Sequence, residues 1–542
     1  MKRRDSFLKF KPDANLFTEK RKGAILFCIK KPAVQTAGGC NEQTQQLDVV
    51  MDIKLYEYRI SGNRKGQVEG IMRIEADSMG SMAIPEEVYY GVQSLRAKNN
   101  FNMTGRPLHP LFIANLARIK KAAALTNYEA GLLTKEQAGS IMKACDEIIE
   151  GKLRDQFIVD AIQGGAGTSA NMNANEVIAN CAIELLGGKK GDYSLIHPND
   201  HVNMAQSTND VIPSAGKMTA AELLKAATAE LKRLSKALNQ KSAQFDNVLK
   251  MGRTQLQDAV PMRLGQSFAA YESAIKRDIK RLTLTGEELL SINLGGTAVG
   301  SGINVSPYYY ATIVPNLNKL FGCEYRQAAD LFDATQNLDG FVQVSGCLKS
   351  CAVNLTKVCN DLRLLSSGPR TGLGEINLPA LQNGSSIMPG KVNPVIPEVV
   401  NQAAFQIIGN DAAITWAAAG GQMELNAFEP VLFHNLFESL DLLRQGAQTF
   451  TNLCITGITA NADKCLKHLE SSVGIATALC PVLGYEESAR VAKKALKEGC
   501  SVKEVLRKEN IVSEKEMERI FNLFPMTIPP RQVFCIEEVA KL

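Results

Sequence analysis

Eight apolar residues of one stretch, Phe341, Val344, Leu348, Cys351, Leu355, Val358, Leu362 and Leu365, are spaced 3-4-3-4-3-4-3. That spacing makes one stripe of a helix apolar over its whole length, and a stripe that long has to be covered by other helices. The pattern returns at Leu224, Ala227, Leu231, Leu234 and Leu238, in a helix expected to open near Pro213, and at Leu436, Leu440, Leu443, Ala447 and Phe450. Residues 265–290 and 398–419 also read as long helices. Five such helices between about 210 and 463 predict a mainly α chain built on a long bundle with shallow crossing angles. Each helix also has a charged face, and no run approaches the roughly 18 apolar residues a membrane span needs. Alanine on further faces of several helices points to contacts with other subunits.

The sequence divides around this bundle. Residues 72–209 mix turns with helices such as 110–130 and 134–150, and form an N-terminal domain. Residues 210–463 are the central bundle, and 464–542 a small helical C-terminal domain with helices at 487–498 and 514–522. Residues 1–71 differ from the rest. They hold 14 Lys and Arg against 8 Asp and Glu, whereas the remaining residues hold 47 against 48. The net charge of +5 therefore comes from this segment, and the body carries no electrostatic footprint for nucleic acid. Its apolar run, Ala24 to Ile29, is too short for a signal sequence, and its glycines and charges suit a flexible tail.

The 13 cysteines are odd in number, and Cys347, Cys351 and Cys359 fall on the apolar helix, where thiols pack as small hydrophobes. Reduced thiols and a cytoplasmic location are expected. His197 and His201 have helical i, i+4 spacing, but Pro198 lies between them and no Glu follows His197, so no metal site is expected there. The cluster Gly295–Gly302 lacks the Lys-Ser/Thr end of a phosphate loop and the dinucleotide glycine pattern.

The chemistry concentrates in G-S-S-I-M-P-G-K-V-N-P, residues 384–394. Two adjacent hydroxyls, Ser385 and Ser386, stand between Gly384 and Gly390, with Lys391 and Asn393 following. Glycines let such a loop bend and prolines stiffen its flanks, as a lid carrying a reactive group requires. Four more segments are dense in hydroxyls and amides: 164–176, 197–210, 252–261 and 295–302. Any one alone is equally well capping and turn chemistry.

Together, in this order, the five segments resemble the fumarase/aspartase superfamily, over essentially residues 72–542. The resemblance implies a three-domain, mainly α fold with a central long five-helix bundle, and a site shared among subunits of a homotetramer. Within the superfamily, Val395-Ile396-Pro397-Glu398 and Gly164-Gly165-Ala166-Gly167-Thr168-Ser169 look like aspartases. Fumarases usually continue with Thr-Gln after the loop, and carry histidine where this chain has Gln255, paired with a glutamate matched here by Glu398. The nearest rivals are a class II fumarase and a lyase for a substituted aspartate.

The reaction this implies removes ammonia from L-aspartate to give fumarate. It takes a weakly acidic proton from C3 and pushes a second negative charge onto the side-chain carboxylate. Catalysis depends on donors placed where that charge grows, and needs neither metal nor cofactor. By resemblance Ser385 is the general base, acting as an alkoxide. Thr168, Ser207, Thr208 and Ser386 grip the side-chain carboxylate. Thr254, Lys391 and Asn393 hold the α-carboxylate. Asn209, with Thr168 and Gln255, orients the amino group. A start of synthesis at Met72 is a further expectation, since codons for Glu69-Gly70 permit a purine-rich ribosome-binding sequence just upstream. Intact-mass measurement of protein from its native source checks it; a mass matching residues 1–542 refutes it.

Overall fold

The computed structural model describes residues 71–529, with the backbone of two short paired strands, Lys20–Arg21 and Ala24–Ile25. The tail expected over residues 1–71 therefore lies, but for those two strands and its last residue, outside the described residues. The helices are α1 (Val92–Asn100), α2 (Pro110–Glu129), α3 (Lys135–Ile149), α4 (Thr168–Leu185), α5 (Thr208–Gln244), α6 (Leu264–Gly286), α7 (Pro307–Phe321) and α8 (Leu331–Gln336). They continue with α9 (Asp339–Leu365), α10 (Val395–Ala419), α11 (Glu429–Leu453), α12 (Ala462–Ser471), α13 (Cys480–Glu498), α14 (Val502–Glu509) and α15 (Glu514–Ile520). Strands occur only in pairs among the described residues. The largest pairs are the hairpins Met72–Asp77/Gly80–Pro85 and Leu249–Thr254/Gln257–Arg263.

The five long helices anticipated from spacing are α5, α6, α9, α10 and α11, and every apolar position named for α5, α9 and α11 is buried. One boundary differs. Helix α5 opens at Thr208, capped by Ser207, and Pro213 lies inside it. Proline has no N–H to return to the carbonyl four residues back. That carbonyl, on Asn209, instead accepts the Asn293 side-chain amide at 3.0 Å, so the helix tolerates the proline. The helix expected at 487–498 is the second half of α13, which kinks at Gly484 (φ 77°).

Side-chain pairs fix the directions of the bundle helices. Asn401 near the start of α10 donates to Asn360 near the end of α9 (2.9 Å), and Ser345 near the start of α9 donates to Asp411 (2.8 Å). These two helices are therefore antiparallel. Lys217 near the start of α5 reaches the Ser291 carbonyl just past α6 (2.6 Å), whereas Lys241 near its end reaches the Ile458 carbonyl just past α11 (2.8 Å). The segments between helices thus gather at two opposite ends. A smaller apolar cluster, with Leu469, Ile475, Leu479, Val491, Val505 and Leu506, lies under the C-terminal helices and includes Met251 of the second hairpin.

Close approach of α5 and α11 depends on Gly216, where an added Cβ would stand 2.3 Å from the Phe433 ring. Gly216→Val should overpack this seam, costing about 1–3 kcal/mol and lowering the thermal midpoint followed by circular dichroism. An unchanged midpoint would show that the seam is not close-packed.

Candidate active site

At one end of the bundle the starts of α4 and α5 meet the glycine cluster. Gly167 (φ 85°) caps α4, and a Cβ there would stand 2.9 Å from Ile212 of α5. That packing sets the first turn of α4, which Thr168 opens, against the first turn of α5, which Ser207 caps and Thr208 and Asn209 open. Ser207 Oγ accepts the Asn209 N–H (3.2 Å), and Asp210 closes the cap by accepting the Ser207 N–H (2.9 Å). The second Asp210 oxygen accepts the N–H groups of Gly295 and Thr297, both at 3.1 Å. Asn209 Nδ2 donates to the Ala298 carbonyl at 2.7 Å. One carboxylate thereby ties two of the segments picked out from sequence into a single wall.

The hydroxyls of that wall are directed. Thr208 Oγ1 accepts the Asn171 side-chain amide (3.3 Å), which leaves its O–H free to donate outward. Ser207 Oγ likewise accepts within its cap and has its O–H to spare. Thr168 donates to the Gly165 carbonyl (2.7 Å), so its free lone pairs face outward as acceptors. A wall with two outward donors and one outward acceptor suits a carboxylate beside an ammonium group.

Behind it lies a buried polar network that periodicity does not reveal. Lys120 is fully buried and donates to Asn203 Oδ1 (2.8 Å), which also accepts from Asn171 (3.1 Å) and Asn175 (3.2 Å). Burial pushes the Lys120 ammonium down to about 7, opposed by the charge of Asp210. Burial pushes the Asp210 carboxyl up to about 6, opposed by its three backbone N–H donors and by Lys120. The only advance signal was the run of asparagines in 164–176.

The loop 384–394 precedes α10 and is tied at its base. Gly384 N–H donates to the Lys391 carbonyl (2.7 Å), and Asn393 Nδ2 donates to the Gly384 carbonyl (3.0 Å). Ser385 Oγ accepts the N–H groups of Ile387 (3.2 Å) and Met388 (3.0 Å). Two amides aimed at one hydroxyl oxygen favour its anion. Ser386 and Lys391 are exposed. Thr254 and Gln255 sit at the exposed tip of the second hairpin, where Gln255 and Leu256 take left-handed angles (φ 54° and 63°), as a two-residue turn demands. Ser386, Lys391, Thr254 and Gln255 have no side-chain hydrogen bond among the described residues. Glu398 lies 3.8 Å from Arg363, on the turn after the loop.

The candidate residues thus fall into three groups, and no side-chain hydrogen bond joins them among the described residues. The wall stands at the start of α5. The hairpin follows its end, and the loop lies at that same end, before α10. Thirty-seven residues of helix span about 55 Å. The chain does not bring its own wall to its own loop. His197 and His201 are engaged locally, His197 Nδ1 accepting from the N–H groups of Asn199 and Asp200, and His201 Nδ1 from that of His197.

Residues 80–409 match the family model described as lyase, and residues 475–528 match the one described as fumarase C C-terminus. The chain belongs to the fumarase/aspartase family of lyases. An aspartate ammonia-lyase of Bacillus sp is 51% identical over 458 residues, covering 84% of this chain and 98% of that one. One from Helicobacter pylori is 52% identical over 460 residues, again 84% and 98%. Among solved structures, the fumarate lyase:delta crystallin from Brucella melitensis bound to cobalt superposes with a TM-score of 0.82 at 47% identity, covering 85% of this chain and all of that one. A class II fumarase from Schistosoma mansoni gives 0.81 at 34% identity, with the same coverage. The family and the mainly α architecture read from the five segments and the helix spacing are borne out.

Proposed function

We propose that this chain converts L-aspartate reversibly to fumarate and ammonia. The observation that carries the reading is the Ser385 hydroxyl, held by the amides of Ile387 and Met388 in a loop that continues Val395-Ile396-Pro397-Glu398. Aspartate ammonia-lyases 46–52% identical to the chain support the same reaction. Gln255 cannot perform the water-handling part that an imidazole plays, which disfavours a hydratase.

In this reading Ser385 acts as an alkoxide and takes the C3 proton. Electrons from the C–H bond move into the side-chain carboxylate, giving an enediolate-like dianion gripped by Ser207, Thr208 and Ser386, and by Thr168 once its hydroxyl turns from the Gly165 carbonyl to the substrate. Collapse of that charge re-forms the carboxylate, makes the C2–C3 double bond and expels ammonia from C2. Thr254, Lys391 and Asn393 hold the α-carboxylate, and Asn209 and Gln255 orient the amino group. A Ser385 oxygen facing two amides is stabilised as an anion without reorganisation during the step.

Each site is assembled from more than one chain, as a homotetramer would provide. The separation of wall and loop along α5 supports this. So does the outward face of α10, where Val399, Gln402, Phe405, Gly409, Ala412 and Trp416 recur at helical spacing and are exposed, Trp416 by 78%. The three-part division at 72–209, 210–463 and 464–542 belongs to the same proposal, supported by the separate apolar cluster under the C-terminal helices. A cytoplasmic location is supported by ten free cysteines among the described residues. No described helix is long and apolar enough to cross a membrane.

Ultraviolet absorbance should show fumarate from L-aspartate, with matching ammonia, and none from L-malate; fumarate from malate alone would make the enzyme a hydratase. Ser385→Ala should lower turnover at least about 10³-fold with the far-ultraviolet spectrum unchanged. Near-normal turnover would remove Ser385 as base. Thr208→Val and Ser385→Ala proteins, each inactive alone, should regain activity when dissociated together and reassembled. No recovery would mean that both residues serve the same site from one chain.

A further inference from the structure

The Glu375 carboxylate is completely buried and faces three basic side chains. Arg253 Nη1 is 2.7 Å from Oε1, Lys250 Nζ 3.3 Å from Oε2, and His468 Nδ1 3.4 Å from Oε1. Its main chain is equally engaged. The Glu375 N–H donates to the carbonyl of Leu365, the last residue of α9 (2.8 Å), and its carbonyl accepts the Asn461 N–H (2.9 Å). Residues Ile376–Asn377 then pair with Thr459–Ala460 and lead into the Ser385 loop. Four pieces therefore meet on one residue: the end of a bundle helix, the hairpin bearing Thr254, the segment feeding the loop, and α12 of the C-terminal part.

The hairpin is shaped to make this contact. Lys250 and Arg253 are three apart, and a regular strand would turn them to opposite faces. The pairing with Gln257–Arg263 shifts by one residue between Met251 and Arg253, the extra residue lying on the partner strand, and both cations reach Glu375. Gly252 permits the slip, since a Cβ there would stand 2.8 Å from the Val260 carbonyl oxygen. A two-stranded hairpin is barely stable by itself, and the tip of this one, with Thr254 and Gln255, is exposed. Its orientation is set at its root.

We infer that Glu375 is a positioning residue that fixes the Thr254 arm, through Arg253 and Lys250, relative to the base of the Ser385 loop. This deepens the aspartate-lyase reading and rests on it. Thr254 holds the α-carboxylate in that reading, so a displaced arm weakens the grip on substrate before it alters proton removal. A buried carboxylate with three basic neighbours on separate pieces also explains why the contact uses charge: an amide at this position would present N–H groups to cations.

The test is a double-mutant cycle on full-length enzyme. Glu375→Gln should raise KM for L-aspartate at least about tenfold, with kcat falling less. Combined with Thr254→Ala, it should lower kcat/KM no further than Thr254→Ala alone. Losses that multiply, or a variant whose stability falls while KM stays unchanged, would overturn the inference. Should Glu375→Gln fail to fold, Arg253→Met in the same cycle decides by the same criteria. Wild-type enzyme that releases no fumarate from aspartate would sink the underlying reading itself. An active wild type with a multiplicative cycle would sink only the role of Glu375.

Discussion

A helix cannot bring its two ends together, and α5 runs unbroken over 37 residues. Its apolar stripe locks it against α6 and α11, so it cannot bend far without opening the bundle core. Everything chemical in the chain is disposed by that rod. The hydroxyl wall is built on its first turn, and the hairpin is hung on its last. The loop is brought to the hairpin's end because α9 and α10 are antiparallel. The bundle is thus the ruler that sets where each functional piece can stand.

The pieces also differ in how they are made rigid. The wall is fixed by buried polar bonds, with Asp210 taking three backbone N–H groups and Asn203 three side-chain donors. Several donors converging on one buried acceptor restrict how that acceptor and its donors can be placed. The hairpin is fixed by charge at its root, and the loop by two hydrogen bonds across its base. The number of ties thus falls from wall to loop, as the proposed reaction would require of a wall that holds substrate and a loop that admits it.

Much of this was legible in the residues. The 3-4 spacing of Phe341 to Leu365 placed eight side chains correctly in the core, because a long helix in a bundle has no other way to hide them. The five polar segments identified the family because each needs unusual residues at fixed offsets. Other features left no periodic trace. Helix α4 is almost wholly buried yet carries Asn171, Asn173, Asn175 and Glu176 inward, so its pattern is one of hydrogen bonding rather than hydrophobicity. Pro213 looked like a helix start because its lost hydrogen bond is replaced by Asn293, 80 residues away in sequence. Lys120 and Glu375 act on partners about 80 to 125 residues distant, which no local spacing can announce.

The tie across the loop base has a kinetic meaning. With Gly384 joined to Lys391 and Asn393 folded back onto Gly384, only the residues between can change path when substrate enters. Each backbone residue fixed costs about 1–2 kcal/mol in lost freedom, so a short tied loop forfeits far less on closing than an open segment of the same reach. In the proposed reaction such a lid would close as a pre-formed ring pivoting at its glycines. Its timing would be that of a hinge and not of a folding event, and Ser385 would arrive over the substrate with its two amides already in place.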